Sequence, residues 1–126
     1  MEVINKKILI VEDDKDFLWI LRQSFGSKGF DVIYALDGEE GLAMAEKEKP
    51  DLILSDILMP KMDGIEMAKK LQEKKISSKI VFLTNVKDAG RLSEAMETIS
   101  EIDYIVKSDL HIDAIIERVR RKLGLK

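Results

Sequence analysis

The sequence predicts an α/β domain built on a parallel sheet with helices on both faces. Three observations lead there. Five short apolar runs, at residues 8–11, 31–35, 52–55, 79–84 and 103–107, alternate with five segments of helical periodicity. The run at 8–11 is continuously apolar rather than alternating, as in strands buried on both faces. Strict alternation of strand and helix gives parallel neighbours joined by right-handed crossovers.

One domain over residues 1–126 is expected, because this length supports a core of its own. Hydrophobic residues make up 45% and charged residues 36%, an ordinary globular balance. The net charge of -3 is too small to draw the chain to nucleic acid or to an anionic membrane. Without cysteine, disulfides, thiol nucleophiles and cysteine-ligated metals are excluded. The first residues carry no secretory signal and no run is long enough to span a bilayer, so a cytoplasmic location is expected.

In chain order, Ile8-Leu-Ile-Val11 opens the sheet and Glu12-Asp13-Asp14 follows at once. Asp14 is expected to cap the first helix. Phe17, Leu18, Ile20, Leu21 and Phe25 form its apolar face, with Trp19 half buried beside them and Gly26 and Gly29 at its end. Asp37-Gly-Glu-Glu40 spells a capping box for a helix through Leu42, Ala43 and Ala45 to about Lys49, where Pro50 stops it. Asp63-Gly-Ile-Glu66 caps a third helix carrying Ile65, Ala68 and Leu71. Asp88 caps a fourth, with Leu92, Ala95, Met96 and Ile99. Ser108 or Asp109 caps the last, with Ile112, Ile115, Ile116, Val119 and Leu123 on its core face.

Sheets of this kind bind ligands beyond the carboxyl ends of their strands. Those ends carry Glu12 and Asp13, Asp56, Thr84 and Lys107. Three carboxylates in one cleft repel each other and raise their pKa values, a conflict that an oxygen-preferring cation such as Mg²⁺ relieves. The absence of cysteine and the lone His111, at a helix start, turn the chemistry away from zinc and copper. A carboxylate beside Mg²⁺ can attack phosphorus. The Lys107 ammonium can pair with one oxygen of the transferred group and the Thr84 hydroxyl with another.

The motifs Ile-Leu-Ile-Val-Glu12-Asp13-Asp14, Asp56-Ile-Leu-Met-Pro60-Lys-Met-Asp63-Gly64, Phe-Leu-Thr84 and Tyr104-Ile-Val-Lys107 occur in this order on successive strand ends. With them the chain resembles the receiver domain of two-component response regulators over nearly its whole length. The resemblance implies a doubly wound, flavodoxin-like sheet of five strands in the order 2-1-3-4-5, with five helices. It implies that Asp56 accepts a phosphoryl group from the phosphohistidine of a sensor histidine kinase or phosphotransfer protein. It implies Mg²⁺ (or Mn²⁺) held by Asp13, by Glu12 through water, by Asp56 and by the backbone carbonyl of Leu58. Thr84 and Tyr104 would form a switch pair that remodels the surface of the fourth helix, fifth strand and last helix for a downstream protein target. Such a domain is a signalling switch rather than a conventional enzyme.

Several residues depart from the family pattern. Ser108 stands where proline usually follows the lysine, so a trans Lys107–Ser108 peptide is expected. Asn85 replaces a very small residue and would either bond the phosphoryl oxygens or crowd the entrance. Leu58 and Val86 put apolar groups beside the site, which predicts slow attack by water and a long-lived phosphorylated state. Met59 and Met62 are placed near the rim. Arg118, Arg120, Arg121, Lys122 and Lys126 complement the dipole of the last helix.

Rival functions fit less well. A flavin carrier of this topology needs a Ser/Thr/Gly-rich loop after the first strand, where Glu12-Asp13-Asp14 repels phosphate. An aspartyl-phosphate hydrolase needs an acid two residues past the nucleophile, and Leu58 is there. A receiver-like scaffold that is never phosphorylated would have no use for the intact set of Asp56, Thr84 and Lys107.

Overall fold

In β1 (Lys7–Val11), Ile8, Leu9, Ile10 and Val11 are all fully buried, so this strand has no solvent face. The computed structural model describes residues 4–85, 90, 93, 103–107 and 111–125. Within them, α1 (Lys15–Ser27), β2 (Asp31–Ala35), α2 (Gly38–Glu48), β3 (Leu52–Asp56), α3 (Gly64–Glu73), β4 (Lys79–Thr84), β5 (Asp103–Val106) and α4 (Ile112–Lys122) follow in order. The five strands form one parallel sheet in the order β2-β1-β3-β4-β5.

Side chains alternate across each strand, so the two sheet faces take different residues. Ile8, Ile10, Leu52, Leu54, Val81, Leu83 and Ile105 meet Leu18, Leu21 and Phe25 of α1 and Ile115, Ile116 and Val119 of α4. Leu9, Val11 and Ile53 meet Ala45 of α2 and Met67 and Leu71 of α3 on the other face. Each of these fully buried aliphatic side chains stabilises the fold by roughly 1.5–3 kcal/mol. Truncating one, as in Leu9→Ala, costs about 2–5 kcal/mol.

Three helix starts are fixed by aspartates. Asp14 accepts from the N–H groups of Asp16 (3.0 Å) and Phe17 (3.2 Å), Asp37 from Glu40 (2.8 Å) and Asp63 from Glu66 (2.8 Å). Each cap contributes about 1 kcal/mol.

Four expectations need correction or limits. Four helices have bounds among the described residues; of the fifth, predicted from Asp88 through Ile99, only Gly90 and Ser93 are described, both helical, and its other residues lie outside them, as do Val86 and the Lys107–Ser108 peptide. Trp19 is 60% exposed rather than half buried, and Ile20 is also exposed. At 100° per residue both point roughly 130° from the centre of the Leu18–Leu21–Phe25 stripe, beyond the reach of the sheet. The N-cap of α4 is His111 and not Ser108 or Asp109, and its side chain makes no capping bond. The His111 carbonyl accepts the first bonds of the helix, from Ala114 and Ile115, and Ile115 and Ile116 are buried. Finally, β5 ends at Val106, which leaves Lys107 just beyond the strand.

Candidate functional site

Parallel register brings the strand ends level. Val11 pairs with Ser55, Asp56 with Leu83, and Thr84 with Val106. Glu12, Asp56, Thr84 and Lys107 are therefore delivered to one edge of the sheet by four adjacent strands. Asp13 joins them from the turn before α1, and the oxygens of Glu12, Asp13 and Asp56 lie within 4.8 Å of one another.

Glu12 is fully buried, Asp56 nearly so, and Asp13 is exposed. Lys107 Nζ lies 3.0 Å from Asp56 Oδ2 and 3.2 Å from Glu12 Oε1. The other oxygen of each acid is held by backbone: Ile57 N–H donates to Asp56 Oδ1 (2.8 Å) and Asp14 N–H to Glu12 Oε2 (3.1 Å). Ser55 Oγ, also buried, donates to the Asp56 carbonyl at 2.8 Å.

Burial pushes the Glu12 carboxyl up to about 7, and the charge of Asp56 adds to the effect. The N–H of Asp14 and the Lys107 ammonium pull the other way without cancelling it. For Lys107, burial is the largest influence and opposes the charge. The bonds and charges of Asp56 and Glu12 together outweigh it, leaving the pKa above its ordinary value.

The remaining sequence-predicted residues surround this cluster. Thr84 is buried and its Oγ1 donates to the carbonyl of Asn85 at 3.1 Å. Asn85 is half buried and Tyr104 is 38% exposed. Leu58 is exposed, two residues past Asp56. Met59 and Met62 are partly buried and pack on the cluster between α2 and α3. His111 is exposed.

Two features had no sequence signal of their own. Phe17, expected only as core, has its ring centroid 5.2 Å from Lys107 Nζ. Gly38, expected only as part of a cap, lies against the loop between β3 and α3. A Cβ there would fall 2.0 Å from the Met62 carbonyl oxygen. Lys61 of the same loop adopts φ 68 and reaches Asp37 Oδ2 at 3.7 Å. Gly64 closes the loop: its N–H donates to the Ile57 carbonyl at 2.7 Å, and a Cβ would fall 2.2 Å from the Asp56 carbonyl oxygen.

The chain is similar to known proteins along its length. It is 48% identical over 81 residues to the alkaline phosphatase synthesis transcriptional regulatory protein PhoP of Bacillus subtilis, covering 64% of this chain and 34% of that protein. It is 31% identical over 124 residues to sporulation initiation phosphotransferase F of the same organism, covering 98% of both. Several other curated relatives are about twice as long as this chain. A Francisella response-regulator receiver domain superposes with TM-score 0.83 at 30% identity, covering 95% of this chain and 98% of that one. Residues 8–120 match the response regulator receiver domain, so the acidic edge with Lys107 sits on a chain that belongs to the receiver domains of two-component response regulators.

Proposed function

We propose that this chain is one phosphoacceptor domain over residues 1–126, in which Asp56 takes a phosphoryl group from a phosphohistidine on a sensor histidine kinase or phosphotransfer protein. The observation that carries this reading is the Lys107 ammonium lying within hydrogen-bonding distance of both Asp56 and Glu12. Full-length similarity to a sporulation phosphotransferase supports phosphoryl transfer as the shared chemistry.

Ile57 N–H holds Asp56 Oδ1, which leaves Oδ2 to attack phosphorus. A bond forms from Oδ2 to phosphorus and the phosphorus–nitrogen bond breaks. Its electron pair returns to the imidazole, which takes a proton from solvent. Lys107 moves from Oδ2 to a phosphoryl oxygen and keeps Glu12. The all-oxygen cluster of Glu12, Asp13 and Asp56 fits Mg²⁺ or Mn²⁺, and the backbone carbonyl of Leu58 would be a further ligand. Bound there, the ion would supply positive charge that offsets the negative charge of the phosphoryl group.

Thr84 then gives up its bond to the Asn85 carbonyl and turns toward the new charge. Tyr104, exposed in this state, turns inward and changes the surface offered to a downstream protein. The domain works as a cytoplasmic switch without direct contact to nucleic acid. No helix among the described residues is long and apolar enough to cross a membrane.

Acetyl phosphate with Mg²⁺ tests the reading. Intact-mass measurement should find one added phosphoryl group on the wild type and none on Asp56→Asn. Equal uptake by both proteins, or none by the wild type from either acetyl phosphate or a kinase, overturns it.

A further inference from the structure

The Lys107 ammonium is surrounded on three sides. Asp56 Oδ2 and Glu12 Oε1 come from the ends of β3 and β1, and the Phe17 ring comes from α1 with its centroid 5.2 Å away. This distance is within the range where a ring face attracts a cation. Phe17 is itself well anchored. Its N–H donates to Asp14 Oδ1 at 3.2 Å, and its side chain packs against the core cluster that includes Leu18, Leu21 and Ile115. It also lines a cavity of about 470 Å³ beside Lys107, with Asp14, His111, Ile112 and Ile115.

Lys107 has weaker anchorage of its own. It lies one residue beyond β5, and the residue after it is Ser108, whose backbone lacks the fixed φ of proline. The flexible stem of a lysine does not by itself fix the place of its ammonium.

We propose that Phe17 is a positioning residue whose ring face keeps the Lys107 ammonium in the site. The contact has a distinct use. When Asp56 Oδ2 becomes the bridging oxygen of an acyl phosphate its charge is lost, but the ring contact does not depend on that charge. Lys107 can then exchange a carboxylate for a phosphoryl oxygen without losing its place. The benefit to catalysis rests on the phosphoacceptor reading, whereas the ordering of the ammonium does not.

The test compares wild type, Phe17→Leu and Phe17→Tyr. Leucine keeps the apolar packing and removes the ring; tyrosine keeps the ring. Nitrogen-15 NMR of the lysine ammonium groups, without metal or phosphodonor, reads the order of Lys107, assigned by its loss in Lys107→Arg. Wild type and Phe17→Tyr should show a restricted ammonium and Phe17→Leu a mobile one. With acetyl phosphate and Mg²⁺, Phe17→Leu should label roughly threefold to thirtyfold more slowly, and Phe17→Tyr at the wild-type rate. An equally ordered ammonium in Phe17→Leu overturns the proposal, as does a Phe17→Tyr protein as mobile and slow as Phe17→Leu. If the wild type takes up no phosphoryl group, the phosphoacceptor reading fails while the NMR comparison still decides the role of Phe17.

Discussion

Lys107 Nζ lies 3.0 Å from Asp56 Oδ2, and the same ammonium reaches Glu12 Oε1 at 3.2 Å. One cation thus spans two buried acids that would otherwise repel each other. Lys107→Met should lose about a hundredfold in phosphoryl uptake, the usual scale for one lost charge stabiliser. It should also lose stability at pH 8, by roughly 1–3 kcal/mol after allowing for the part-exposed lysine. At pH 5 the loss should be smaller, because Glu12 then carries a proton. Urea unfolding at the two pH values measures the difference; an equal loss at both would show that the two acids do not share Lys107.

Glu12 gives the fold a pH dependence of defined sign. Its folded pKa of about 7 lies above its ordinary value of 4.5, so the folded state keeps a proton that the unfolded state has released. Stability from this group is full below about pH 4.5 and falls as pH rises through about 7. The whole window is worth at most about 3 kcal/mol. Metal reverses the preference, since it needs the ionised acid, so Mg²⁺ affinity should climb with pH and level off above about 7. The measurement is urea unfolding from pH 5 to 8 in chelator, wild type against Glu12→Gln. The difference in slope should shrink in Asp56→Asn, because the charge of Asp56 adds to the shift, but it should not vanish, because burial is the larger cause and remains.

The parts of this molecule that could be seen in the sequence are those whose signal is local. Ile8 to Val11 has no polar position, so both faces had to be covered. Asp14, Asp37 and Asp63 cap helices through bonds two or three residues away. Asp56 and Lys107 stand 51 residues apart, yet the rule that parallel strands end on one edge brings them together. What the sequence does not carry is contact between elements. Trp19 faces solvent because no element among those described covers that side of α1, and nothing near Trp19 in the chain says so. Phe17 beside Lys107 and Gly38 beside Met62 arise only once α1 and α2 are docked. The start of α4 at His111, whose side chain makes no capping bond, does not follow the local Ser/Asp capping signal.

Gly38→Ala should destabilise the protein although alanine favours helices. The new methyl would lie 2.0 Å from the Met62 carbonyl oxygen, and backbone cannot rotate aside. The strain should cost about 1–3 kcal/mol, against a helix gain of at most about 1 kcal/mol. Mg²⁺ affinity should fall as well, because the displaced loop carries Leu58. Gly26→Ala is the control. Nothing lies within 4 Å of a Cβ there, so this change in α1 should stabilise by roughly 0.5–1 kcal/mol. Thermal unfolding of the two variants should move in opposite directions.

Leu58 should lengthen the life of the phosphorylated state. It is 48% exposed and lies two residues past Asp56, where an apolar side chain offers no hydrogen bond to an incoming water. Hydrolysis of the acyl phosphate needs that water lined up opposite the Asp56 oxygen, and a polar side chain at this position can hold it there. Leu58→Asn should therefore speed dephosphorylation. Lowering the barrier by about 1 kcal/mol corresponds to a rate roughly fivefold higher. Because the Leu58 side chain is largely in solvent, the substitution should leave the unfolding temperature within a degree or two, for a surface change of at most about 0.5 kcal/mol. The rate is read by following loss of label from purified phosphoprotein in Mg²⁺ and again in chelator. If Leu58→Asn decays no faster than wild type in both conditions, the exposed leucine is not the shield, and the lifetime is set elsewhere around Asp56.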